Sequence, residues 1–141
     1  MRRSFVSILA IAVLGAVLLA ACGGGAPAST LPDVPAEYAG KTNPFGTQAD
    51  AVAAGEALYA ERCASCHGPE GAGDGPAAGG LDPKPANLQT ELADLPDDYV
   101  FWRIMDGGAM APFNSSMPAQ KGILTDDQVW QIVSYLRTLV Q

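Results

Sequence analysis

Cys63-Ala64-Ser65-Cys66-His67 is the stretch of this sequence that decides the fold, because it sets two cysteines and a histidine within five residues. The two cysteines are too close in sequence to staple a fold in the way the disulfides of a small secreted scaffold do. His67 is the only histidine in the chain. The C-x-x-C-H pattern therefore needs a chemical explanation.

This spacing predicts the covalent attachment of one c-type haem through Cys63 and Cys66. Thiols about one helical turn apart can add to two vinyl groups on one haem edge, and His67 then reaches the iron as its proximal ligand. Three rival interpretations fit less well. A thioredoxin-like dithiol needs alternating strands and helices around it, and a structural zinc site needs four ligands. A plain disulfide leaves the long neighbouring loops unexplained.

The distal iron ligand must be a methionine, another weak donor or nothing, since no second histidine exists. A methionine would raise the reduction potential. Met117 is the predicted ligand and Met110 the runner-up, because Pro118 favours an extended backbone at Met117 and the last helix can buttress it. Met105 lies inside a predicted helix and is expected in the core.

The sequence predicts an all-α fold of three to four helices with long loops around one haem. Helix formers fill residues 49–62, and a second helix is expected at residues 97–106. The last helix has the clearest signal, with a capping box from Thr125 to Gln128 followed by an apolar stripe. Residues 68–88 are rich in Gly and Pro and predict a loop, which would be unusually long unless a haem fills the core beside it.

The N-terminal third carries signals for export and anchoring. Residues 1–21 predict a signal peptide, since two arginines precede an apolar run. Leu19-Ala20-Ala21-Cys22 resembles the lipobox of bacterial lipoproteins, which implies cleavage before Cys22 and its lipidation. An uncleaved transmembrane anchor is the alternative. Residues 22–47 predict a flexible linker and residues 48–141 the folded domain. The chain is expected outside the cytoplasm, lipid-anchored at the cell membrane or in the periplasm.

The charge of the chain limits its partners. The net charge is −7, and removal of Arg2 and Arg3 with the signal would make it −9. Such an acidic domain is unsuited to nucleic acid, which needs clustered Lys and Arg. It suits a protein with a basic docking face.

Residues 48–141 resemble a class I c-type cytochrome, a monohaem cytochrome c domain. The resemblance rests on C-x-x-C-H, the Gly-rich segment after it, Met117-Pro118, and the closing residues Trp130 to Arg137. It implies a haem in an apolar slot with one exposed edge. It further implies that a proline carbonyl accepts the ring N–H of His67, for which Pro76 is the candidate.

The resemblance also implies a tight crossing of the first and last helices. In that family a glycine and an aromatic residue of the first helix meet an aliphatic and an aromatic residue of the last. Here the pairs would be Gly55 with Tyr59, and Ile132 with Tyr135.

The expected function is the transfer of single electrons between membrane redox proteins, in a respiratory or photosynthetic chain, as a shuttle or a complex subunit. A saturated iron binds no small-molecule substrate, so no enzymatic activity is expected. The tryptophans Trp102 and Trp130 are expected to pack and Arg103 to be solvated, with hydrogen bonds to haem propionates as the alternative. Two other functions stay open: a haem enzyme or gas sensor with an open distal site, and an anchored binding protein whose C-x-x-C-H is accidental.

Overall fold

The computed structural model describes residues 31–141, and these form one compact unit, Leu31–Gln141. The expected signal peptide, Cys22 and the start of the expected linker lie outside the described residues. Within the described part, no helix combines the length and the apolar character that crossing a membrane requires. The described fold is mostly helical, as the sequence predicts.

Five α-helices and one 3₁₀-helix make up the described chain. The helices are α1 (Ala49–Arg62), α2 (Ala64–His67), α3 (Leu88–Glu91), α4 (Asp97–Asp106) and α5 (Asp126–Leu139), with the 3₁₀-helix at Ala78–Gly80. The three longer helices fall where the sequence predicts them, and α5 begins with the expected capping box at Thr125. The one-turn helices α2 and α3 and the 3₁₀-helix are additions to the prediction.

The crossing of α1 over α5 is the central packing contact. Gly55 of α1 lies so close to α5 that an added Cβ would collide with the backbone carbonyl of Gln131. Ile132 is fully buried beside this point, and the rings of Tyr59 and Tyr135 lie 5.2 Å apart between centroids. The helix crossing that the resemblance implies is therefore present.

Helix α4 fills the space beside α5 with large apolar side chains. Phe101 is fully buried and stacks on Trp130 with ring centroids 4.1 Å apart. Met105 is also buried, which confirms its expected place in the core. Two acidic residues in the first turn of α4 suit the positive end of its dipole. Helix α4 is therefore part of the hydrophobic core.

Residues 31–47, which we call the N-terminal strap, pack against the helices. Tyr38 is buried, and its hydroxyl donates a hydrogen bond of 2.7 Å to Asp106. Further along, the side-chain amide of Asn43 donates to the hydroxyl of Ser134 at 3.0 Å. The compact unit thus begins at Leu31 and not at residue 48, where the sequence places the end of a flexible linker. A buried aromatic ring and polar anchors hold this segment, although it has no apolar periodicity.

Candidate haem site

The C-x-x-C-H segment is a short helix joined to the end of α1. The backbone N–H of Cys63 donates to Tyr59 of α1, and the N–H of His67 donates to the carbonyl of Cys63 at 2.9 Å. Cys63 and Cys66 therefore lie within one helical turn. The buried hydroxyl of Tyr59 donates to the carbonyl of Gly68 at 2.7 Å, which ties the end of this turn to α1.

The imidazole of His67 is oriented by a backbone carbonyl. Its Nδ1 lies 3.1 Å from the carbonyl oxygen of Ala86. A carbonyl only accepts, so Nδ1 carries the proton and the lone pair of Nε2 stays available for a metal. Burial lowers the pKa of His67, and the hydrogen bond to Ala86 offsets this in part. The neutral imidazole that a metal ligand needs is therefore favoured.

The acceptor for His67 is Ala86 and not Pro76, so that expectation was wrong. The loop around Pro76 is bound to the backbone of α2 instead, because the N–H of Ala77 donates to the carbonyl of Ser65 at 2.9 Å. Residues 85–86 reach His67 because Gly73 leaves room for them. A Cβ at Gly73 would lie 2.6 Å from the carbonyl oxygen of Pro85, and the φ of +79° also favours glycine.

Cys63, Cys66 and His67 line an apolar cleft of about 510 Å³. This volume falls in the range of cofactor sites, roughly 300–1,000 Å³. Met117 also lines the cleft, whereas Met110 is not among its lining residues. The cleft thus brings together the predicted thiols, the predicted imidazole and one of the two candidate methionines.

The thiol of Cys63 is kept in its neutral form. Burial raises the pKa of Cys63 to about 11, and the neighbouring Cys66 adds to the rise. Both cysteines are free of disulfide bonds. Two thiols on one helical turn beside an apolar cleft are the arrangement that thioether attachment of a haem needs, and the donor set of the cleft fits that cofactor.

The two tryptophans pack as expected, but Arg103 differs from its expectation. Trp102 is buried and donates its indole N–H to Asp106 at 3.1 Å, and Trp130 is also buried. Arg103 is half-buried and lines the cleft. Its guanidinium lies 3.3 Å from the ring centroid of Phe113 and donates to the carbonyl of Gly107 at 2.6 Å. It therefore braces the loop that carries Met117 at the cleft.

Sequence reasoning missed Ala86 and Gln120. Ala86 acts through its backbone, so its side chain carries no signal, and only the Gly-rich loop before it hints at a close approach. Gln120 is buried and lines the cleft three residues after Met117. The sequence shows only that a polar residue lies between Met117-Pro118 and the last helix, which does not predict its burial.

Comparison with known proteins agrees with this geometry. The family model for cytochrome c matches residues 52–140. A chain of a reducing HAO-like protein complex from Kuenenia stuttgartiensis is 30% identical with a TM-score of 0.59, over 70% of this chain and 47% of that one. Cytochrome CL from the marine bacterium Methylophaga aminisulfidivorans is 24% identical with a TM-score of 0.52, over 69% of this chain and 58% of its own.

At 24% identity, the similarity to cytochrome CL supports a shared fold and no shared function. This chain spans about half the length of each of the two proteins. No curated protein sequence matches the chain.

Proposed function

The chain belongs to the cytochrome c family, and from that premise we propose that it is a single-electron carrier with His67 and Met117 as its two iron ligands. Cytochromes c hold their haem covalently, through the C-x-x-C-H cysteines, here Cys63 and Cys66. When bound, the haem supplies an iron that gains and loses one electron. The residues of this chain hold it, exclude water and set its potential.

The observation that carries the proposal is the meeting of His67 and Met117 on one apolar cleft. The hydrogen bond from Nδ1 to Ala86 fixes the tautomer and the ring orientation of His67, as outer partners of metal ligands do. A backbone hydrogen bond holds the segment that contains Met117. The carbonyl of Met117 accepts it at 2.9 Å from the N–H of Gly108, just beyond α4. A methionine ligand on a fixed backbone favours a closed iron with a raised potential.

The apolar walls of the cleft support electron transfer over substrate chemistry. Leu92, Ile104 and Leu136 line it together with Val100 and Ile132, and all five are buried. Such walls lower the local dielectric and keep water from the metal. A haem enzyme or gas sensor with an open distal site is the competing function, and one similar structure comes from a complex described as HAO-like. The two functions differ in whether a small ligand such as carbon monoxide can bind the iron: it can in an enzyme or sensor and cannot in the proposed carrier.

The test replaces each candidate methionine by leucine, a change that conserves side-chain volume. Met117→Leu should make the reduced protein bind carbon monoxide, because it removes the distal ligand. Met110→Leu is the matched control and should leave the spectrum unchanged. Carbon monoxide binding by the wild type would support the enzyme or sensor. If Met110→Leu binds carbon monoxide and Met117→Leu does not, the distal ligand is Met110.

We propose further that the carrier is tethered to a membrane through lipid on Cys22 and serves membrane redox proteins as donor and acceptor. The lipobox-like sequence before Cys22 and the acidic charge support this. The carrier would act in a respiratory or photosynthetic chain, as a shuttle or a subunit. The full chain should fractionate with membranes, and mass spectrometry of the mature protein should find an acylated residue 22 at its N-terminus. A membrane-bound protein that keeps residues 1–21 and carries no lipid would instead support an uncleaved transmembrane anchor.

A further inference from the structure

Two methionines follow α4 on the same loop, Met110 and Met117, and of these two only Met117 lines the haem cleft. Each carries a thioether sulfur, the group that ligates the iron in His/Met cytochromes. A ligand held on the same short loop acts at an effective concentration on the order of millimolar. The two side chains are chemically identical, so the contacts of the loop must decide which sulfur reaches the cleft.

The sulfur of Met110 is bound by the side chain of Arg103, a residue of α4. Nη1 of Arg103 donates to the sulfur of Met110 at 3.7 Å and to the carbonyl of Gly107 at 2.6 Å. A thioether sulfur is a weak acceptor, but here the donor is a charged guanidinium, which strengthens the hydrogen bond. While this contact lasts, the sulfur of Met110 stays at the arginine.

The loop around Met110 is folded over the same guanidinium. The carbonyl of Met110 accepts hydrogen bonds from the N–H of Phe113 at 3.0 Å and of Asn114 at 3.1 Å, which closes a tight turn. The ring of Phe113 covers Arg103, with the guanidinium carbon 3.3 Å from the ring centroid. The turn thus keeps both the backbone and the side chain of Met110 close to Arg103.

The charge of Arg103 is satisfied by this loop and not by a carboxylate. None of the ion pairs in the described part of the chain includes Arg103, although the residue is half-buried. A partly desolvated cation needs compensating dipoles or an aromatic face, and the loop supplies both. The neighbours of Arg103 in α4, Trp102 and Ile104, are buried, so helix packing fixes the point from which the arginine reaches the loop.

We infer that Arg103 is a positioning residue that selects the distal iron ligand, because it holds the sulfur of Met110 on the loop and leaves the distal position to Met117. The inference rests on the proposed electron carrier. It adds a role that bracing of the loop does not imply. If Arg103 only braced the loop, its loss would free no second ligand. If it selects the ligand, its loss lets the sulfur of Met110 take the place of a missing Met117.

The experiment measures carbon monoxide binding by the reduced, haem-bearing protein after the ligand Met117 has been removed. Met117→Leu alone should bind carbon monoxide, because Arg103 still holds Met110. Met117→Leu with Arg103→Leu should regain a low-spin spectrum. Its affinity for carbon monoxide should be lower by about tenfold or more, since the apparent affinity falls with the fraction of molecules whose site is free. Adding Met110→Leu to this pair should restore the full affinity.

Arg62→Leu in the Met117→Leu background is the matched control. Arg62 also lines the cleft, but it is exposed and pairs with Glu61 at 3.1 Å. It has no contact with Met110 that its loss could break. The control protein should therefore bind carbon monoxide as tightly as Met117→Leu alone, and an equal loss of affinity in this control would count against a specific role of Arg103.

Equal affinities for carbon monoxide in Met117→Leu with and without Arg103→Leu would overturn the inference. So would a loss of affinity that Met110→Leu does not reverse, or a Met117→Leu protein that binds carbon monoxide only after Met110 is also replaced. If the protein with Arg103→Leu does not mature, Arg103→Gln decides in the same background, because a carboxamide lacks the charge and the forked donors of a guanidinium. An unchanged affinity there refutes the role. The proposed carrier fails separately, if the wild type itself binds carbon monoxide.

Discussion

Substituting alanine for Gly55 tests the helix crossing that supports the site. The added Cβ would collide with the carbonyl oxygen of Gln131 and lie 2.5 Å from its carbonyl carbon and 3.1 Å from the nitrogen of Ile132. All three atoms belong to the backbone of α5, so no side chain can rotate out of the way. The helices must move apart, and α1 carries the C-x-x-C-H segment at its end.

The size of the effect follows from two opposing terms. Alanine favours a helix over glycine by about 1 kcal/mol. Overpacking typically costs about 1–3 kcal/mol, and a collision with backbone belongs at or above the upper end. The expected net loss in the free energy of unfolding is about 2 kcal/mol, or a fall in melting temperature on the order of 8 °C for a domain of this size.

Thermal unfolding of the haem-bearing protein, followed by circular dichroism, measures this loss. Gly79→Ala is the matched control, because a Cβ there meets nothing within 4 Å. It should change stability by less than about 0.5 kcal/mol. A melting temperature for Gly55→Ala equal to that of the control would refute the account of the crossing.

Three further predictions concern other parts of the fold. Burial raises the pKa of all four tyrosines above the ordinary 10.0. The stability from burying neutral phenols is complete below pH 10 and is lost above it, so tyrosinate absorbance should rise later in the native protein than in urea. Coincident curves would contradict this. Arg137→Leu should cost about 2–3 kcal/mol in urea unfolding, because Arg137 donates to the carbonyls of Leu92 at 2.7 Å and Leu95 at 2.6 Å. Arg137→Lys should restore only part of that loss, and full restoration would argue against the forked geometry. Thr125→Ala should lower the free energy of unfolding by about 1 kcal/mol through loss of the α5 cap, whereas Thr125→Ser should keep it.

The sequence predicts well the features that depend on interactions between residues close together in the chain. The capping box at Thr125 and the apolar stripe after it place α5 within one or two residues, because both act inside the helix itself. The C-x-x-C-H segment is likewise complete within five consecutive residues, so its two thiols and its imidazole could be identified from the sequence alone. The crossing at Gly55 followed from the family resemblance, and a lone glycine in a helix would not otherwise have located it.

The features that were missed depend on distant parts of the chain. The acceptor for His67 lies 19 residues away, at Ala86, and is a backbone atom that any residue supplies. The sequence of the N-terminal strap is rich in proline and has no apolar periodicity, so it predicts a linker. The hydroxyl of Tyr38 finds Asp106, 68 residues away, only once α4 is in place. Gln120 stands out only because its burial leaves one oxygen unpaired.

A potentiometric and optical titration of the full, haem-bearing wild-type protein, with and without carbon monoxide, tests the central claim most directly. The account predicts a reversible one-electron couple and a low-spin c-type spectrum, in both oxidation states, that carbon monoxide leaves unchanged. A high-spin spectrum that shifts on addition of carbon monoxide would contradict a closed iron between His67 and Met117 and would turn the proposal toward an enzyme or a gas sensor.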